Sequence, residues 1–238
     1  MKLTIVNPYW DLYQQVKTLQ KESEPKILQQ ILTELSSVSH LSLLDRSAIR
    51  FLIRFRLYLN RLLEEKFFVR LREEYAYSAP SPKLLQLIAE HSPLVEMGAG
   101  NGYLASVLRG MGADIVAVDA FPVEEGQNWF FNTNVFGLPT KKGSSWTTVI
   151  KGNAASLEEY PDRVLLLCWP PKNAMAVESL THFKGRQIIL IANKSCCADA
   201  EFYDILDKNW HLQLEVKTDS WAMCHTEVME IYSRDADS

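Results

Sequence analysis

The chain has little cysteine, no surplus of positive charge and no long hydrophobic run. Its four cysteines, Cys168, Cys196, Cys197 and Cys224, show no C-x-x-C spacing among 238 residues. Neither a disulfide framework nor a metal site is expected, and free thiols in a reducing, cytoplasmic setting are the plain reading. Lys and Arg number 25 against 29 Asp and Glu, a net charge of -4. That balance disfavours nucleic acid as a partner, because such binding rests mainly on neutralising phosphates. No apolar stretch is long enough to span a bilayer, and the first residues lack the sustained apolar core of a signal peptide. Glycine is absent from residues 1–74. Nothing in the sequence marks an oligomeric state.

What is present suits one α/β domain with an appendage: 47% of the residues are hydrophobic, and the length allows a sizeable core. Residues 1–74 read as a helical extension or cap. Pro25 can open a helix to about Val38, and Asp45 can cap a second running toward Arg72. On that second helix Arg46, Arg50, Arg54, Arg61 and Arg72 fall on one stripe, read as a solvated face. Prolines 80 and 82 break the helical pattern, so a second region is set at 75–238, with Ser81 as the cap of a helix to about His91.

Alternation follows. Strands are expected at 94–98, 114–119, 147–151, 164–168 and 187–192, with helices at 102–111, 173–183 and 199–208. Alternating strands and helices imply a parallel sheet with right-handed crossovers. Trp210–Lys217 and Cys224–Tyr232 are two successive strands without a helix, which reads as an antiparallel hairpin at the sheet edge. Residues 120–146 have no clean period and contain Phe121, Trp129, Phe130 and Phe131, the composition of a connection that packs over something.

The densest signal is Leu94-Val-Glu-Met-Gly-Ala-Gly-Asn-Gly102. A short apolar strand ends in three glycines at alternate positions, and a second strand ends on Asp119. Glycines at 98, 100 and 102 allow a sharp turn and a close approach to backbone. Asp119 is an acceptor-only carboxylate suited to the two hydroxyls of a ribose. An adenosine-containing cofactor is implied. The dinucleotide pattern G-x-G-x-x-G/A would put a small third residue where Tyr103 stands, which argues against a nicotinamide-dependent dehydrogenase.

The stretch Glu96-Met-Gly-Ala-Gly-Asn-Gly102 instead resembles motif I of the Rossmann-like, class I S-adenosylmethionine-dependent methyltransferases. Together with Tyr75–Pro80 and Cys168-Trp-Pro-Pro171, it resembles one methyltransferase-like family over roughly residues 74–232. The resemblance implies a mainly parallel α/β sheet closed by a C-terminal antiparallel hairpin. It also implies S-adenosylmethionine as cofactor, S-adenosylhomocysteine as product, and a small-molecule or protein acceptor. The cofactor contacts it implies are Tyr77, Glu96, Gly98, Ala99, Gly100, Gly102, Asp119, Ala120, Asn153, Ala154, Cys168 and Trp169.

Two positions depart from the family pattern. Asn153 stands where an acid usually meets the adenine amino group; it is either that contact or a turn residue. Trp169 stands where amino-methylating relatives carry a polar residue before Pro-Pro, and Lys172 replaces their aromatic. Trp169 can stack a planar or cationic substrate, lie beside the sulfonium, or plug the strand end. Candidate catalytic groups are Trp169, Tyr77 and His225, an imidazole near Trp221 that suits a general base or a structural role. Cys196 and Cys197 follow the fifth strand without a visible activating base. The rival from another class is a catalytically inactive binding or scaffold protein that keeps the fold.

Overall fold

The computed structural model describes Ser47, Phe51, Arg72, Glu73 and residues 75–78, 80–132, 144–218 and 227–235. The chain divides into two compact units, Asn7–Arg70 and a second formed by Met1–Val6 with Leu71–Ser238. The helices expected after Pro25 and Asp45, and arginines 46, 50, 54 and 61, lie outside the described residues. Arg72, expected on a solvated stripe, is instead buried; its long aliphatic stem makes such burial possible.

The second unit is a seven-stranded sheet with helices between its strands. In chain order it contains α1 (Pro82–Glu90), β1 (Leu94–Met97), α2 (Tyr103–Gly110), β2 (Ile115–Asp119), α3 (Trp129–Asn132) and β3 (Ile150–Lys151). Then come β4 (Val164–Cys168), α4 (Met175–His182), β5 (Gln187–Ala192), α5 (Ala200–Asn209), β6 (His211–Lys217) and β7 (Val228–Ser233). The strand order is β3-β2-β1-β4-β5-β7-β6. Strands β1 to β5 pair in parallel, and β7 is antiparallel to both β5 and β6. This is a Rossmann-like α/β fold, a mainly parallel sheet closed by an antiparallel pair.

Composition explains the positions. The runs Leu-Val-Glu-Met, Val-Leu-Leu-Leu-Cys and Gln-Ile-Ile-Leu-Ile-Ala are buried almost throughout, as strands covered on both faces must be. The alternating His-Leu-Gln-Leu-Glu-Val-Lys of β6 lies at the sheet edge and is mostly exposed. On one face Val95, Met97, Leu165, Leu167, Ile188 and Leu190 pack with Phe183, Phe202, Leu206 and Trp210. Burying one such large side chain contributes about 1.5–3 kcal/mol. Because strand side chains alternate, Glu96 points to the face opposite Val95 and Met97.

Some boundaries differ from the sequence reading. The third strand is two residues rather than 147–151, and β7 starts at Val228 rather than 224, residues 224–226 being outside the described set. Ser81 precedes α1 but makes no side-chain cap hydrogen bond; Pro82 opens the helix, its missing N–H being no loss at that position. The aperiodic stretch after β2 contains a short 3-10 turn at Val123–Glu125 and α3.

Candidate functional site

The site is built where β1 and β2 end. Leaving β1, the chain turns through Gly98 (φ 78°), Gly100 (φ 57°) and Gly102 (φ 72°), all left-handed, a conformation that costs other residues roughly 1–2 kcal/mol. The amides of Gly98 and Ala99 both donate to the carbonyl of Val118, at 2.9 and 3.1 Å. The amide of Gly100 donates to Asp119 Oδ2 at 2.8 Å, and the amide of Phe121 donates to Oδ1 at 2.8 Å. A Cβ on Gly100 would lie 2.8 Å from Phe131 Cε2, so the turn packs closely against that ring.

Asp119 is buried, and burial raises its carboxyl above the usual range while the two amides pull it down. Two carboxylate oxygens carry about four lone-pair sites, so acceptor capacity remains beyond the two amides. Glu96 is 3% exposed, and its Oε2 has no hydrogen-bond partner among the described residues. Burial, reinforced by the charge of Asp119, pushes Glu96 from 4.5 to about 8; the Ala105 backbone amide and the Arg109 charge oppose this without overcoming it. A buried, incompletely paired carboxyl is costly in a stable fold and is the kind of group found where a ligand completes the bonding.

These residues face a cavity of about 630 Å³. Its lining brings together Tyr77, Glu96, Gly98, Ala99, Gly100, Asp119, Ala120, Asn153, Ala154, Cys168 and Trp169. Gly102 alone of the expected cofactor contacts is elsewhere. It caps α2, and a Cβ there would lie 2.9 Å from Thr147 Cγ2 and Val149 Cγ2, so its smallness serves packing beneath the turn. Asn153 Oδ1 accepts the amide of Ala155 at 3.1 Å, so Asn153 is a turn cap at the cavity edge, with its amide nitrogen and one carbonyl lone pair left over. His225 lies outside the described residues. Cys196 reaches the cavity, whereas Cys197 is buried in the core. Burial pushes the Cys168 thiol well up, helped by the charges of Glu227 and Glu96, which makes it a poor nucleophile.

Trp169 follows β4 with φ 52°, unusual for a bulky residue. Its backbone amide donates to Ile191 O at 2.8 Å. Its indole N–H donates to Glu227 Oε2, and the hydroxyl of Thr218 donates to Glu227 Oε1. The ring meets Tyr77 at 4.5 Å between centroids, tilted by 46°, and Tyr77 meets Phe130 edge-on at 5.4 Å. Trp169 therefore lines the cavity while also packing against the core at the end of β4.

Sequence reasoning passed over two residues. Asn101 is buried inside the glycine motif; its Oδ1 accepts the amide of Tyr103 at 3.1 Å and its Nδ2 donates to Tyr75 O at 2.8 Å. It ties the segment before α1 to the glycine turn. An Asn placed between two glycines at a helix start was the available signal. Glu227 is buried at the base of the β6–β7 hairpin, and no local pattern connects it to a residue 58 positions away.

No family model matches the chain, and no curated protein matches it. Several solved structures are similar at low identity. The magnesium protoporphyrin IX methyltransferase of Synechocystis PCC 6803 with bound SAM is 16% identical with a TM-score of 0.41, over 64% of this chain and 76% of that one. M. capricolum TrmK in complex with S-adenosyl-homocysteine is 14% identical with a TM-score of 0.39, over 66% and 70%. The PH0226 protein of Pyrococcus horikoshii OT3 is 10% identical with a TM-score of 0.40, over 65% and 87%. The strand order, rather than these likenesses, carries the fold. No helix among the described residues is long and apolar enough to cross a membrane.

Proposed function

We propose that the protein is a methyltransferase that binds S-adenosylmethionine in this cavity and acts on a small-molecule or protein acceptor. One observation carries the reading: the buried, incompletely paired Glu96 lies behind the left-handed glycine turn, and Asp119 is bonded to that turn. The donor set fits the cofactor. Glu96 would take the ammonium of its amino-acid end, Asp119 the ribose hydroxyls, and Asn153 and Ala154 an edge of the adenine. A Cβ at Gly100 would meet Phe131, which also lines the cavity. The bound cofactor supplies a methyl group on a sulfonium, an electrophile with a good leaving group. What remains for the chain is to hold the acceptor in line and to exclude water. The aromatic rings at 77, 130 and 169 supply walls for both tasks.

A second reading has its own support. The position after β4 carries Trp169, whose N–H is held by Glu227, in place of a polar anchor for an acceptor amine. A protein that binds the cofactor and transfers nothing would look the same there. Calorimetric titration of S-adenosylmethionine into wild type and Asp119→Ala tests the cofactor, and an acceptor screen with labelled methyl tests the chemistry. Saturable binding weakened by the substitution supports the cofactor site. Absence of binding to wild type sinks both readings, whereas binding without transfer to any acceptor sinks only the first.

A further inference from the structure

We propose that the Trp169 end of the cavity receives a neutral or anionic planar aromatic small molecule, packed against a wall made by Trp169, Tyr77 and Phe130; this rests on the methyltransferase reading above. The wall is continuous. Trp169 touches Tyr77 and Tyr77 touches Phe130, with centroids 4.5 and 5.4 Å apart, and Phe130 meets Trp129 at 5.8 Å. At the cavity Trp129 is 64% and Phe121 50% exposed. Large rings left in water beside a cavity mark a place where an apolar ligand is taken up.

The wall is also held in place. Trp169 keeps a left-handed backbone, and its indole N–H is fixed by Glu227, itself buried and bonded by the Thr218 hydroxyl. Strain of this kind persists only where surroundings over-determine it, and it gathers at functional sites. Glu227 does not line the cavity. It is a positioning residue, acting through the ring in front of it.

Two observations choose the ligand class. Trp169 and Tyr77 touch at a tilt of 46°, and Phe130 stands edge-on to Tyr77. A planar ring can stack on one of these faces and meet its neighbours edge to face, whereas a methylammonium is held by ring faces set apart around it. The charge points the same way. Glu96 and Asp119 are engaged at the cofactor end, and Lys172 and Glu178, which also line the cavity, offset each other. The sulfonium then decides the sign, and it repels a cation brought within methyl-transfer distance.

The test uses the full chain. S-adenosylhomocysteine is titrated first to establish cofactor binding. Then 2-naphthol, cyclohexanol, tetramethylammonium and N-acetyl-tyrosinamide are each titrated into protein loaded with sinefungin, a non-transferring analogue with an ammonium where the sulfonium would stand. Saturable binding of 2-naphthol is expected, at least tenfold tighter than cyclohexanol or tetramethylammonium. Phe130→Ala and Trp169→Leu should each weaken it tenfold or more; if Trp169→Leu does not fold, Phe130→Ala carries the comparison. Glu227→Gln, which keeps an acceptor for the indole, should bind 2-naphthol within threefold of wild type, whereas Glu227→Leu should not. Equal binding of tetramethylammonium, no binding of 2-naphthol, or indifference to both wall substitutions would overturn the proposal. Tighter binding of N-acetyl-tyrosinamide would overturn the small-molecule assignment in favour of a protein side chain. Failure of S-adenosylhomocysteine to bind would instead bring down the methyltransferase reading, and with it this one.

Discussion

The amide of Gly100 donates to Asp119 Oδ2 at 2.8 Å, so the glycine turn and the proposed ribose carboxylate form a single unit. Each holds the other's geometry. A residue 19 positions later in the chain fixes the turn, and the turn fixes which lone pairs of the carboxylate stay open.

Asp119→Asn separates those roles. The amide oxygen can keep one of the two backbone bonds, but an acceptor for the ribose is lost and a donor takes its place. S-adenosylhomocysteine affinity should fall by about 1.5–3 kcal/mol, the scale of a hydrogen bond to a charged group. Calorimetry measures it. Wild-type affinity in the substituted protein would remove Asp119 from the site.

Glu96 predicts a pH dependence of stability. Its carboxyl is raised from 4.5 to about 8, so between those values the folded protein holds a proton that the unfolded chain has lost. Stability from this group therefore falls as pH rises through the window, with a slope of at most about 1.4 kcal/mol per pH unit. Glu96→Gln should flatten the profile between pH 5 and 8 and raise Tm at pH 8 in thermal melts. A profile unchanged by the substitution would contradict the raised carboxyl.

The same carboxyl couples binding to protons. A ligand ammonium favours the ionised form, so cofactor binding near pH 7 should release a proton and tighten toward pH 8. Titrations in two buffers of different ionisation enthalpy would count that proton. Zero release in wild type, or the same release in Glu96→Gln, would assign the ammonium to another partner.

Gly100→Ala and Gly126→Ala differ in a useful way. Both glycines are left-handed, at φ 57° and 71°, but a Cβ on Gly126 meets nothing within 4 Å while one on Gly100 meets Phe131. Gly126→Ala should lose about 1–2 kcal/mol of stability from backbone conformation alone. Gly100→Ala should lose more, and should also weaken S-adenosylhomocysteine binding and alter the near-UV CD of the aromatic wall. Equal losses in the two variants would mean that the Phe131 contact yields freely.

Much of this arrangement was legible because it is local. The alternation of apolar runs and helices, and the switch to two successive strands after Trp210, placed six of the seven strands to within a few residues. The glycine motif and Asp119 share one short stretch of chain, and their types state their geometry. The third strand was overdrawn because Ile150 and Lys151 lie at a sheet edge, exposed, where pairing rather than residue type sets the length. Gly102 lies outside the cavity lining; a pattern of alternate glycines does not say which of them faces the cavity and which faces Thr147 and Val149. Glu227 was invisible because its meaning depends on β7 running antiparallel into the sheet between β5 and β6. Asn153 is a turn cap that also borders the cavity, a dual position that residue type by itself does not reveal.

That reversed strand has a consequence for how such a protein can change. Because β7 runs against β5, with Val228 opposite Ala192, Thr218 and Glu227 lie at the rim where the parallel strands finish. Thr218 N donates to Glu227 O at 3.1 Å and closes the base. Lengthening a closed loop costs slowly, about 0.6 kcal/mol for each doubling. Changes in chain length between Thr218 and Glu227 are therefore cheap for the fold, since they leave the glycine turn, the buried acids and the sheet as they are.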